Sequence, residues 1–444
     1  MSPKRPPRLL TSPSRRLLKL GGLVGKVGAS VVGERAAELV RSGPGKEIKR
    51  AENLVRNAVR VVETLGEMKG AAMKVGQMLS LHVGMLPPEV AEVLRALQRE
   101  APRVPPEVMR YEVEGSLGAP IDELFAEFEE EAFAAASIGQ VHRARMHDGR
   151  PVAVKIQYPL IREVVQADLK NLKTLMKSLF SMVFDADFEP MWREMNEVLL
   201  EELDYEHEAT NMERMRELHA DVPEIVIPRV IPERSSDRVL TMEFLEGVSA
   251  EAACSEAFSQ EERNRWGEVL LELEMRGLFE HRLLHADPNL ANFSFLEDGR
   301  VIVYDFGCLK RVPEQIAAGY ARLFLAVAED RRREIPGVLA EIGLTRADGS
   351  SIPLELIEPY IDLFAEILRE EPPYRFGEDE DLYERVMELG MANWSQATDM
   401  RFPEDIIFID RSLAGHFGNL IRFRAAGPWR ELVARHARAA VGDH

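Results

Sequence analysis

The 444-residue chain predicts an α+β fold in two lobes, a small mixed lobe followed by a mainly helical one. Three observations predict it. Two strand-like runs between about 131 and 157 are joined by the turn residues His147-Asp148-Gly149 and read as a hairpin. Helical, charged segments fill 160–218, and after short strands at VIPRVI and RVLTMEF the stretch FLEGVSAEA crosses into a mainly helical second half. Within that half a strand, VIVYD, runs into Asp305-Phe306-Gly307.

Taken in order, residues 1–50 are rich in Pro, Gly, Ser and basic side chains, with SPKRPP and SGPG as breakers, and are expected to form a flexible arm. Residues 51–125 form a helical extension. Leu65, Met68, Ala72, Val75 and Leu79 recur at spacings of three and four, which makes one apolar stripe. Pro87 and Pro88 end that helix and open a second, EVAEVLRALQRE, which stops near Pro102. The small lobe is expected over 126–246 and the helical lobe over 247–444. No internal repeat shows.

Composition narrows the function. The net charge of -19 argues against a nucleic-acid partner, which needs an accessible basic surface. Charge is uneven, however: residues 1–60 carry 14 Lys and Arg against 4 Glu, a local +10 that leaves -29 for the remainder. Such an arm is either a solvated tail or a contact for anionic lipid or an acidic partner. Two cysteines, Cys254 and Cys308, are too few for a disulfide framework or a Cys-rich zinc site and fit a reducing compartment. No run of about 20 apolar residues occurs. The glycine-rich LGGLVGKVGASVVG is broken by Lys26 and is a poor signal-peptide core. The expected location is cytoplasmic, with peripheral contact to an anionic membrane left open.

The stretch EAFAAASIGQVHRARMHDGRPVAVK carries the first chemical signal. A protein-kinase-type lobe places G-x-G-x-x-G-x-V before the strand that ends in V-A-V-K. With Val141 as the valine of that pattern, the third glycine falls on Gly139 and the first two on Ala134 and Ala136. Val152 and Val154 alternate to face a core, and Lys155 ends the strand. Alone it would be an outward lysine; behind this loop it suits phosphate oxygens. Such a lysine needs a carboxylate to orient it. The segment EELDYEHEATN offers Glu201, Glu202, Asp204, Glu206 and Glu208, among which spacing cannot choose.

A second stretch, LLHADPNLANFSFLEDGRVIVYDFG, is more specific. Asp287 and Asn292 have the spacing of H-x-D-x-x-x-x-N, and Asp305-Phe306-Gly307 follows in order. That combination supplies a carboxylate near an attacking group together with an Asn and an Asp to ligand Mg²⁺.

With these motifs the chain resembles the UbiB or AarF atypical protein-kinase-like proteins, associated with ubiquinone and isoprenoid-lipid biology. The resemblance runs from about residue 55 to at least 310. It rests on the alanine-rich AAASIGQVHRA, on Lys74-Val75-Gly76-Gln77, on Glu202, Asp204 and Glu208, and on H-x-D with Asn and DFG. It implies a bilobal kinase-like fold with catalytic Asp287, Lys155 and Glu208. The nucleotide site implied is Ala134, Ala135, Ala136, Ser137, Gly139 and Lys155, joined by Glu243 at the end of RVLTMEF; the metal ligands are Asn292 and Asp305. Lys74, Gly76 and Gln77 are then placed over the cleft, facing Glu202 and Asp204, where a protein kinase would receive its peptide. In one departure, HADPNLAN stands where the family reads H-A-D-P-H-P-G-N, so Asn289, Leu290 and Ala291 replace His, Pro and Gly.

Two features bear on the substrate independently. After Gly307 the segment CLKRVPEQIAAGYARLFLAVAED turns helical within a few residues, leaving no activation segment, and Ala286 replaces the arginine of H-R-D. The substrate expected is therefore not a protein. Alanine restricts the freedoms that glycine gives a phosphate loop, so Ala134 to Ser137 are expected as a stiffer, partly helical turn. The leading expectation is an enzyme using ATP/ADP and Mg²⁺, either an ATPase or a small-molecule kinase in lipid or quinone metabolism. A nucleotide-binding scaffold without turnover is the alternative.

Overall fold

A computed structural model describes residues 104–163 apart from 137, 189–368, 373–378 and 400–442 apart from 402, with isolated positions between those stretches. The basic arm, the stripe from Leu65 to Leu79, Lys74-Val75-Gly76-Gln77 and the helix after Pro88 lie outside the described residues. The chain divides into two units, one formed by 1–207 with 230–244 and the other by 208–229 with 245–444.

The first unit is built on an antiparallel sheet. Its strands are β1 (Glu127–Phe128), β2 (Ala134–Ala135), β3 (Gly139–Arg145), β4 (Pro151–Gln157) and, later in the chain, β6 (Val239–Glu243). The order is β1-β3-β4-β6, with β2 also on β3. The expected hairpin is β3–β4: Gly149 takes φ +89 in its turn, and Asp148 accepts from the Arg150 amide. A left-handed φ is open to glycine at no steric cost, which is why the turn falls there. Alternation in β4 sends Val152, Val154 and Ile156 to one face. They pack with Ala144, Val239, Ile121 and Phe125, and with Met109 and Val113, one turn apart on the helix Pro106–Leu117. Lys155 takes the opposite face.

The second unit holds a four-stranded sheet in the order β5-β10-β9-β7, from Ile225–Val226, Val301–Val303, Phe293–Phe295 and Val248–Ser249. Its parallel β5–β10 pairing is what recruits residues 208–229, a segment the sequence reading kept with the small lobe. A separate ribbon pairs β8 (Leu283–His285) with β11 (Leu309–Arg311). Long helices surround these strands: Gln260–Met275, Glu314–Ala328, Leu354–Ile367, Glu404–Phe423 and Trp429–Val441. The first opens on a capping box between Ser259 and Glu262. Its Trp266 is fully buried and donates its indole N–H to the Leu296 carbonyl at 2.9 Å, fastening helix to sheet. Among the described residues no helix is long and apolar enough to cross a membrane.

Two glycines of the first unit should respond oppositely to alanine. At Gly139 a Cβ would lie 2.2 Å from the Ile156 carbonyl oxygen and 3.1 Å from the Tyr205 hydroxyl. The obstacle is backbone, so β3 and β4 must part; overpacking costs about 1–3 kcal/mol, and the upper end is expected. At Gly115, inside the helix Pro106–Leu117, a Cβ meets nothing within 4 Å. Gly115→Ala should raise stability by about 0.5–1 kcal/mol. Urea unfolding of both variants checks the pair, and equal midpoints would refute the assignment.

Candidate functional site

The alanine-rich segment is not the partly helical turn expected. Ala134 and Ala135 form β2 and pair with Val141 and Gln140 of β3. The Phe133 amide donates to the Val141 carbonyl and the Ala136 amide to the Gly139 carbonyl, at 3.0 and 2.9 Å. Cross-strand pairing outweighs the weak strand preference of alanine here. These two N–H groups are therefore committed to the sheet and do not form a phosphate cradle. Ser137 lies outside the described residues, and Gly139 is buried against β4 by the close approach described above.

Lys155 is buried in β4, between Val141 of β3 and Leu240 of β6, and its Nζ stands 5.0 Å from the centre of the Tyr205 ring. An aromatic face is a favourable neighbour for an ammonium held away from bulk water. Burial also sorts the five acids that spacing left equivalent. Glu202 and Glu208 are 8% and 2% exposed, whereas Glu201 and Glu206 face solvent. Asp204 has a structural duty as well: its Oδ1 accepts from the Glu206 and His207 amides, both at 3.1 Å, capping the helix Tyr205–Leu218. Lys155, Glu202 and Asp204 belong to the first unit, and Glu208 to the second. Glu243 ends β6 opposite Val152.

In the second unit Asp287, Asn292 and Asp305 are brought together. Asn292 donates its amide nitrogen to the Asp287 carbonyl at 3.2 Å. A carbonyl only accepts, so this bond turns the amide oxygen of Asn292 the other way. The Tyr304 amide donates to the Asn292 carbonyl at 2.9 Å, and the His285 Nε2–H to the Asp305 carbonyl at 2.5 Å. Asp305 Oδ1 accepts from the Gly307 amide, while Asn211 donates to the Phe306 carbonyl. The residues that depart from the family pattern keep the loop in shape. Asn289 accepts from the Ala291 amide at 3.1 Å and caps a 3₁₀ turn over Leu290–Asn292, and Leu290 is buried.

Beneath this loop lies a buried pair. Glu274 Oε2 and His416 Nε2 are 3.4 Å apart, a spacing that would suit an ion pair. Full burial keeps both neutral instead: desolvation pushes the Glu274 carboxyl up to about 8 and the His416 imidazole down to about 3.

Among the described residues no group of three or more His, Cys, Asp and Glu side chains could hold a metal by itself. Mg²⁺ does not need one, since it takes one or two carboxylates and fills its shell with phosphate oxygens and water. The Asp305 carboxylate and the outward-turned Asn292 oxygen are hard donors of that kind. Sequence reasoning read His285 as a motif residue and Asn289 as a departure, and missed Asn211 and the supporting contacts all three make. Asn211 carried a signal as an asparagine inside a helix where it is a poor former, and Asn289 as a candidate cap.

The family model described as ABC1 atypical kinase-like domain matches residues 96–338. The chain belongs to this family. Like the atypical-kinase resemblance of its motifs, the comparison with curated proteins leads to mitochondrial atypical kinases. Identity is 30% over 422 residues with coq-8 of Caenorhabditis elegans, covering 91% of this chain and 55% of that protein. It is 30% over 413 residues with COQ8 of Schizosaccharomyces pombe, covering 90% and 66%. The ABC1-family chain thus spans from about half to two thirds of the length of these curated relatives. Among solved structures, the Rv3197–erythromycin complex from Mycobacterium tuberculosis matches at 29% identity and a TM-score of 0.62, over 87% of this chain and 97% of that one. The α+β, kinase-like fold is common to both.

The buried pair makes a pH-dependent prediction. Glu274 has a raised folded value, so its contribution to stability is fully present below its unfolded value of 4.5 and is lost as pH rises toward about 8. His416 runs the other way: present above 6.5, lost as pH falls toward about 3. Glu274→Gln removes only the first of these. Relative to wild type, its stability should therefore rise by about 1.4 kcal/mol per pH unit between those two Glu274 values and level off outside them. Urea unfolding across that range reads the difference, and a pH-independent difference would refute it.

Proposed function

We propose that this ABC1-family chain binds ATP with Mg²⁺ and acts as an atypical kinase or ATPase serving lipid or isoprenoid-quinone metabolism. The observation that carries this reading is the hydrogen-bonded assembly of Asp287, Asn292 and Asp305. Asp287 takes the proton of an attacking hydroxyl or water, and Asn292 and Asp305 hold the ion. Mg²⁺, when bound, neutralises the phosphate oxygens. In this proposal Lys155 pairs with phosphate and Glu208 keeps a catalytic role, while Ala134, Ala135, Gly139 and Glu243 line the remainder of the nucleotide without lending it the amides engaged in the sheet. Lys74, Gly76 and Gln77, with Glu202 and Asp204, restrict what enters.

A small-molecule substrate is supported by the helix Glu314–Ala328, which starts soon after Gly307 and β11. The erythromycin of the Mycobacterium tuberculosis complex agrees with a small-molecule partner. The basic arm would add contact with an anionic membrane. A second reading, nucleotide binding without turnover, draws on the alanine hairpin, where the Phe133 and Ala136 amides are engaged in the sheet.

Asp305→Asn tests the site with little threat to the fold, since the amide oxygen can still accept from Gly307. The substitution should abolish the Mg²⁺-dependent thermal stabilisation by ATP and lower phosphate release by roughly 10²–10³-fold, the usual weight of one charge-clamping group. Phosphate release from wild type is measured with and without anionic liposomes and phenolic quinone-like compounds. Stabilisation by ATP with no release under any condition selects the scaffold reading; an unchanged shift in Asp305→Asn sinks both.

A further inference from the structure

The 285–292 loop is gripped by a helix that lies beyond residue 338, where the family match ends. On Glu404–Phe423, Gly415 and His416 lie three and four residues after Ser412, and Asn419 lies four and three after them, so the four share one face. Asn419, 5% exposed, donates its side-chain amide to the Pro288 carbonyl at 2.7 Å. Ser412 Oγ points at the His285 carbonyl at 3.5 Å, a longer and weaker contact. A Cβ on Gly415 would fall 2.1 Å from Pro288 Cγ, so the helix backbone sits directly against the proline ring. Asp287 is thus bracketed by two residues whose carbonyls the helix faces, and its own Oδ1 accepts from the Asn289 amide.

We propose that Asn419 is a positioning residue for Asp287 and Asn292, so that the helix Glu404–Phe423 is a working part of the phosphate-handling site. The inference rests on the kinase or ATPase reading. A buried carbonyl left without a donor is costly, and losing the amide frees the Pro288–Asn289 peptide to rotate, which turns away the Asn289 N–H that holds Asp287 Oδ1. Misplacement of a reacting group by about 1 Å can cost 10² in rate. Gly415 serves the same contact sterically: its missing side chain lets Asn419 reach the loop. The Asn419 amide bonds the Pro288 backbone rather than the side chain of Asp287, Asn292 or Asp305, which separates an effect on turnover from one on binding.

The test uses the full chain with Asn419→Ala, Asn419→Ser and Gly415→Ala. Asn264→Ala is the control, because it breaks a comparable bond, from the Ala426 amide at 2.9 Å, away from the loop. Three quantities are read: kcat and KM for phosphate release from Mg·ATP, the thermal midpoint, and hydrogen–deuterium exchange of the peptide spanning 285–292. Both Asn419 variants should lower kcat by about 10–100-fold with KM changed less than about twofold. Their 285–292 amides should exchange faster, and those of Asn264→Ala should match wild type at a similar midpoint. Exchange does not depend on turnover. If wild type releases no phosphate but exchange responds as stated, the function reading fails and the positioning role stands. Wild-type exchange in folded Asn419→Ser, or equal loop exchange in Asn264→Ala, overturns the positioning role whatever the turnover.

Discussion

Backbone hydrogen bonding between the 285–292 loop and the 304–308 turn is the constraint on which the second unit's site depends. The Ala286 amide donates to the Cys308 carbonyl, the Tyr304 amide to the Asn292 carbonyl, and the His285 ring to the Asp305 carbonyl. Each of these bonds uses a main-chain group, so the two carboxylates are located by the peptide path itself. Side-chain identity between the anchors matters less. That accounts for how Asn289, Leu290 and Ala291 can stand in the loop: they need only close a 3₁₀ turn and bury one apolar side chain, and they do both.

Support from below is polar but uncharged. Glu274 and His416 are both fully buried, and desolvation makes neutrality cheaper than an ion pair at that depth. A neutral platform adds no negative charge beneath Asp287 and Asp305. His285, Phe293, Phe306 and His416 stack edge to face around it, filling the space with rings whose orientations are mutually set.

The first unit solves a different problem. Its alanines pair as a strand, and the glycine that survives from the nucleotide-loop pattern is required by packing, because the β4 backbone occupies the place of its side chain. A residue inferred from a phosphate-binding pattern therefore has a steric reason to be glycine, independent of any ligand. Lys155 and the ring of Tyr205 meet on the face of β4 opposite the apolar core, so the lysine is held in place by its own lobe.

Much of this was legible in order along the chain. Turn residues at His147-Asp148-Gly149, the alternation of Val152 and Val154, and the spacing of Asp287, Asn292 and Asp305 are local patterns, and local patterns are what periodicity and steric preference encode. Those determined the hairpin, the strand before Asp305 and the family. Tertiary structure alone decided three things: that Glu202 and Glu208 are the buried acids, that Ala134–Ala135 are strand, and that Asn419 reaches Pro288. The first depends on what the rest of the fold packs over each acid. The second depends on a partner strand outweighing the residue's own preference. The third joins positions 131 apart in sequence, and a contact closed over that distance leaves no periodic trace in the residues between.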